Sequence, residues 1–161
     1  MRKLILVILL YLLTLIQIGF CSHFKIDGVG LNIVLLAVLL IALSQKNYLV
    51  VWWSAFWGGL FLDLFYYRQL GLATLTLLVL IGLFYLWRRF FILKGMAGGL
   101  IYLTLFNLLY EPIRGGLSLV LGMTPINISL YSMAIQILCH LILVIGLRLI
   151  LPTKLSRRFA I

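Results

Sequence analysis

Six apolar stretches, separated by short polar or basic breaks, make up nearly the whole chain. They cover residues 4–21, 29–45, 48–67, 70–87, 95–111 and 128–150. A helix of about 17 to 25 such residues crosses about 30 Å of hydrocarbon, so each stretch is predicted to be a membrane span. The breaks carry turn chemistry. Gln45-Lys46-Asn47 is a tight polar turn, Arg68-Gln69 reverses the chain again, and Arg88-Arg89 with Lys94 marks the far end of the fourth stretch. Pro112 is expected to end the fifth span, because it lacks a backbone donor and restricts the residue before it. Residues 113–124 have an apolar middle too short to span and are predicted to be interfacial or re-entrant. The expected fold is therefore an all-α integral membrane protein, a six-transmembrane-helix bundle forming one membrane domain over residues 1–161.

Met1-Arg2-Lys3 and the apolar run to Cys21 resemble a secretory signal. The run is too long for one, and Phe20 stands where a lipoprotein cleavage site needs a small residue, so an uncleaved first span is expected.

Composition strengthens this picture. With 65% hydrophobic and 10% charged residues and a mean hydropathy of +1.25, the chain has too little polar surface to coat a soluble globule. The net charge of +10 would point to nucleic acid in a soluble domain, but here its placement decides. Across six spans the side holding both termini collects Arg2, Lys3, Lys46, Arg88, Arg89, Lys94, Arg148, Lys154, Arg157 and Arg158. The other side has Lys25, Arg68 and Arg114, with all three acids, Asp27, Asp63 and Glu111, at or near it. The positive-inside rule then puts both termini in the cytoplasm. Anionic lipid headgroups account for the basic face, and no nucleic acid is implied. Cys21 and Cys139 lie far apart without ligand spacing and read as packed thiols.

The polar residue that most needs an explanation is Asp63. It closes the apolar run from Trp52 about one turn short of the predicted outer boundary. A carboxylate at mid-membrane costs about 2.5 to 3.5 kcal/mol, and less towards the interface, so it requires a partner, water or a task. Two roles are open: locking the outer ends of the bundle through Arg68 or, with better geometry, Arg114, or gripping a partner protein or ligand directly. Ser54-x-x-x-Gly58 and Ala55-x-x-x-Gly59 on the same helix allow a close helix approach, and Gly95-x-x-x-Gly99 is a weaker instance, favouring internal packing over dimerisation. Asn32 is placed to meet water or cap a helix, and His140 to hydrogen-bond Gln136 or Asn107. Glu111 and Arg114 are spaced for an i, i+3 pair if the helix persists past Pro112. No phosphate-binding loop, metal-ligand cluster or nucleophile-His motif is present, so neither enzyme nor cofactor is indicated.

The run Gly58-Gly59-Leu60-Phe61-Leu62-Asp63-Leu64, followed by Leu70-Gly71-Leu72 and an apolar span, resembles the signature of the rod-shape-determining MreD family. Asn32-Ile33-Val34-Leu35-Leu36 resembles that family's second-helix start, with Leu31 where a Pro is common. The turn Phe65-Tyr66-Tyr67-Arg68-Gln69 also departs from the family's small polar run, and beyond Trp87 only length, span count and topology agree. The resemblance implies a non-enzymatic scaffold of bacterial cell elongation. Its partners would be an MreC-like bitopic protein and, directly or indirectly, MreB and the peptidoglycan synthases. It also implies similarity to the six-helix substrate-binding subunits of energy-coupling-factor transporters, which makes a vitamin-type transporter subunit the alternative. Those subunits carry an Ala-x-x-x-Ala-like motif in the first helix, whereas residues 4–21 contain no Ala.

The charge split makes a direct prediction. In a Cys-free background, an impermeant maleimide applied to intact cells should label a cysteine at position 25 and spare one at position 92; the reverse pattern would invert the topology.

Overall fold

In the computed structural model the described residues are 2–21, 32–45, 47–67, 70–90, 95–123, 131 and 134–142. All regular structure among them is helical. The elements are α1 (Arg2–Ile16), α2 (Ile33–Ser44), α3 (Tyr48–Leu62), α4 (Leu72–Phe90) and α5 (Gly95–Val120). The residues 134–142 form a further helical stretch, α6. π-helical turns, Gln17–Cys21 and Asp63–Tyr67, extend α1 and α3.

Helix α3 is central and packs on α1, α2 and α4, while α5 closes against α4 and α2. Two helical stretches, Tyr48–Phe65 and Leu72–Arg89, are long and apolar enough to cross a membrane. Leu4–Gly19 and Ile33–Ser44 are apolar but shorter.

Unlike a water-soluble bundle, the fold is apolar on the outside of α3 and α4 as well as in the core. Outward-facing positions on α3 and α4 are Trp52, Trp53, Phe56, Leu75, Val79, Leu83 and Leu86, where a soluble amphipathic helix would carry polar residues. Buried positions include Thr14, Gln17, Asn32, Ser54, Asp63, Thr76, Asn107, Ser118 and His140 beside the apolar core of Leu10, Val34, Leu35, Val51, Leu62, Leu77 and Phe84. Phe84 meets Tyr102 and Phe106 edge-on at centroid distances of 5.6 and 5.4 Å, the favoured aromatic geometry, and so joins α4 to α5. Buried hydroxyls return to their own helix: Thr14 donates to the Leu10 carbonyl, Thr76 to Leu72 and Ser54 to Val51. This satisfies them without water.

One expected boundary is corrected. Helix α5 does not stop at Glu111 but runs through Pro112 to Val120, so residues 113–120 are the continuation of a helix about 39 Å long rather than a separate interfacial piece. Proline costs one backbone hydrogen bond, but packing on either side holds the axis. Phe106 and Tyr110 are buried before it, Ile113 packs against the core after it, and Glu111 to Arg114 bridges the turn that contains it. The helix ends at Gly122, whose φ of +64° a glycine adopts without strain. There Met123 N–H donates to the Ser118 carbonyl at 2.8 Å and Gly122 N–H to Leu119 at 3.2 Å, a Schellman stop.

The closest helix contact sets a second expectation. A Cβ built on Gly59 would lie 2.4 Å from Thr74 Cα and 2.8 Å from Thr74 N, both backbone atoms, so α3 and α4 touch main chain to main chain. Gly59→Ala should therefore force the pair apart and lower the unfolding temperature, at a cost of about 1–3 kcal/mol. Gly116→Ala, where no described atom lies within 4 Å, should leave the temperature unchanged or raise it.

Candidate functional site

The α3–α4 turn is built around one carboxylate. Asp63 is fully buried and follows the last residue of α3, its own N–H donating back to the Gly59 and Leu60 carbonyls. Its side chain reaches across the turn to the start of α4. Oδ1 accepts from Ala73 N–H at 2.7 Å. Oδ2 accepts from Gly71 N–H at 3.0 Å, Thr74 N–H at 3.0 Å and the Thr74 hydroxyl at 2.6 Å. The first amides of a helix have no acceptor within the helix and carry its positive dipole end, so a carboxylate there satisfies both the hydrogen bonds and the charge. Gly71 has φ +91°, which turns the chain into α4 and would strain any other residue.

The cradle depends on close approach. Only because Gly59 lets Thr74 sit against α3 can Asp63, one turn on, reach the amides of Gly71, Ala73 and Thr74 around α4's start. Gly58 faces the other way, with Val34 and Val38 of α2 at 3.1 and 3.2 Å from a built Cβ. Both small-residue spacings on α3 thus serve contacts inside the chain. At Gly99 no described atom lies within 4 Å of a built Cβ.

The expected bridge from Asp63 to Arg114 is corrected. Arg114 Nη1 lies 3.5 Å from Glu111 Oε2, and the donors to Asp63 come from the start of α4. The physical reason is proximity in chain: an N-terminal turn eight to eleven residues away presents preorganised amides, while an arginine on another helix would have to be ordered at an entropic cost. Arg68 lies outside the described residues.

A second polar junction joins three helices. Asn32, 2% exposed, caps α2 by accepting from Leu35 N–H through Oδ1 at 3.0 Å. Its backbone carbonyl accepts from His140 Nε2 at 2.9 Å. A carbonyl can only accept, so Nε2 carries the hydrogen and Nδ1 of the neutral ring accepts from the Asn107 amide, the cross-helix partner expected from sequence. Gln17 Oε1 adds an acceptor for Val34 N–H at 3.2 Å, tying the π-helical turn after α1 to the start of α2. Neither Thr74 nor Gln17 stood out in the sequence. Thr74, lying three residues past Gly71 at a helix start, is the more findable of the two, because hydroxyls favour first turns. Cys139 is half-buried and unbridged. Among the described residues no group of three or more His, Cys, Asp or Glu is arranged to hold a metal ion.

No protein-family model matches the chain, and no curated protein or solved structure matches it either.

Asp63→Asn tests the cradle. The best placement of the amide keeps its oxygen on the three donors that Oδ2 now serves and sets its NH2 against the Ala73 N–H, donor facing donor. Stability should fall by about 2 kcal/mol, read as a lowered midpoint in thermal or denaturant unfolding. Arg114→Ala should add to that loss rather than overlap with it, because Arg114 pairs with Glu111 while Asp63 is held by the start of α4. A clearly sub-additive double variant would restore the direct Asp63–Arg114 link.

Proposed function

We propose that the protein is a six-span inner-membrane scaffold subunit of the bacterial cell-elongation machinery, with both termini in the cytoplasm, that binds an MreC-like bitopic partner. The observation that carries the reading is the Asp63 cradle. The residues that resemble the MreD signature, Gly59, Asp63 and Gly71, act there as one device that fixes the α3–α4 turn. Such a signature specifies a rigid hairpin, and a rigid apolar hairpin suits a subunit whose work is to present helix faces to other membrane proteins. The exterior of α3 and α4, with Trp52, Trp53, Phe56, Val79 and Leu83 exposed, is apolar enough to serve lipid and partner helices alike. The basic residues assigned to the cytoplasmic side would hold that face against anionic headgroups. No catalytic step is part of the proposal.

A transporter subunit would differ in what it retains. The protein, extracted in mild detergent and recovered by affinity tag, should bring down a bitopic MreC-like protein and show only its own mass and that of lipid by native mass spectrometry. Recovery with an ATPase module and a stoichiometric vitamin-sized adduct would replace the scaffold reading with the transporter one.

A further inference from the structure

We infer that the junction of α2, α5 and α6 contains a binding site for a single water molecule, held by the Asn107 amide oxygen and the Thr104 hydroxyl. The site is a cavity of about 10 Å³ lined by Leu36, Leu39, Leu103, Thr104, Asn107 and His140, among others. That volume is about what a single water molecule needs. Besides His140, its polar lining comes from one helix face. Thr104 and Asn107, three residues apart on α5, project to the same side.

Asn107 supplies the decisive detail. The residue is 6% exposed, its amide nitrogen is committed to His140 Nδ1, and its oxygen Oδ1 has no hydrogen-bond partner in the protein. The amide cannot simply be turned over to cure this. The Asn32 carbonyl fixes the hydrogen on His140 Nε2, which leaves Nδ1 of the neutral ring able only to accept. The orphan acceptor therefore persists in the ground state, and a buried amide oxygen beside a water-sized space is the situation in which internal water is retained. A cavity walled only by Leu36, Leu39 and Leu103 would stay dry; Asn107 and Thr104 provide the two polar partners a buried water requires. The water completes the three-helix junction independently of any partner protein.

The chain contains only two histidines, so the site can be read by labelling them. Protein labelled with ¹³C,¹⁵N-histidine and carrying His23→Gln gives signals from the His140 ring alone. In detergent micelles, rotating-frame spectra should show a direct dipolar cross-peak between the His140 ring hydrogens and a long-lived water. Asn107→Leu should abolish that peak while the His140 ring signals remain. If that variant fails to fold, Thr104→Val should weaken the peak several-fold, since it removes one of the two holds on the water. A His140 ring with no water cross-peak in the parent protein, or a peak unchanged in the folded variants, would overturn the assignment.

Discussion

Everything in the α3–α4 half of the molecule depends on giving the first amides of α4 an acceptor where water is scarce. In an apolar surrounding each unsatisfied backbone donor costs several kcal/mol, and a helix that begins inside it begins with several. Asp63 answers for Gly71, Ala73 and Thr74 at once. The charge is tolerated for the same reason the amides are: the carboxylate's desolvation is offset by three backbone dipoles and a hydroxyl in a fixed array. Geometry makes the exchange possible. With a side chain larger than hydrogen at position 59, the start of α4 would stand off and the carboxylate would no longer reach it.

The same logic recurs at the other polar junction, with neutral groups in place of a charge. Asn32 caps α2, Gln17 supplies a further acceptor to it, and His140 uses the Asn32 carbonyl to fasten α6. Both junctions place polar groups where a helix begins, which is where backbone donors are unpaired. The rest of the interior is aliphatic and aromatic packing, and the exterior is apolar too. Interhelical specificity therefore falls to a few hydrogen-bonded sites and to the glycine contacts, since apolar area alone gives little reason to prefer one neighbour where exterior and interior are equally apolar.

The sequence disclosed the helical class, the start of α3, the start of α4 to within two residues and the close approach at Gly59, because each depends on local composition or on spacing along one helix. The Asn107–His140 contact was also legible, since a buried histidine must find a partner and few polar side chains were on offer. The partner of Asp63 was not. Looking for an opposite charge led to Arg114, whereas the acceptor was needed by backbone amides, which every residue has and no composition reveals. Pro112 misled for a related reason. Its local rule is sound, but the cost of one lost hydrogen bond is smaller than the packing of Phe106, Tyr110 and Ile113 on both sides of it. The π-helical turns left no trace in the pattern of residues, because they shift the register by one position without changing composition.

What the cradle implies for recognition follows from counting lone pairs. A carboxylate offers about four acceptor sites, and Asp63 already receives four hydrogen bonds. It could hold a partner only by releasing α4, an exchange that would unseat Gly71 and separate the main chains at Gly59 and Thr74. The acid is therefore suited to shaping the surface a partner meets rather than to meeting it. The residues in position to touch another helix are those left outside the hairpin, Trp53, Phe56 and Phe65 on one side and Val79, Leu83 and Leu86 on the other. Contacts made there would be specified by shape, since these side chains carry few polar groups. Their specificity would then rest on how firmly Asp63 keeps the two helices in register.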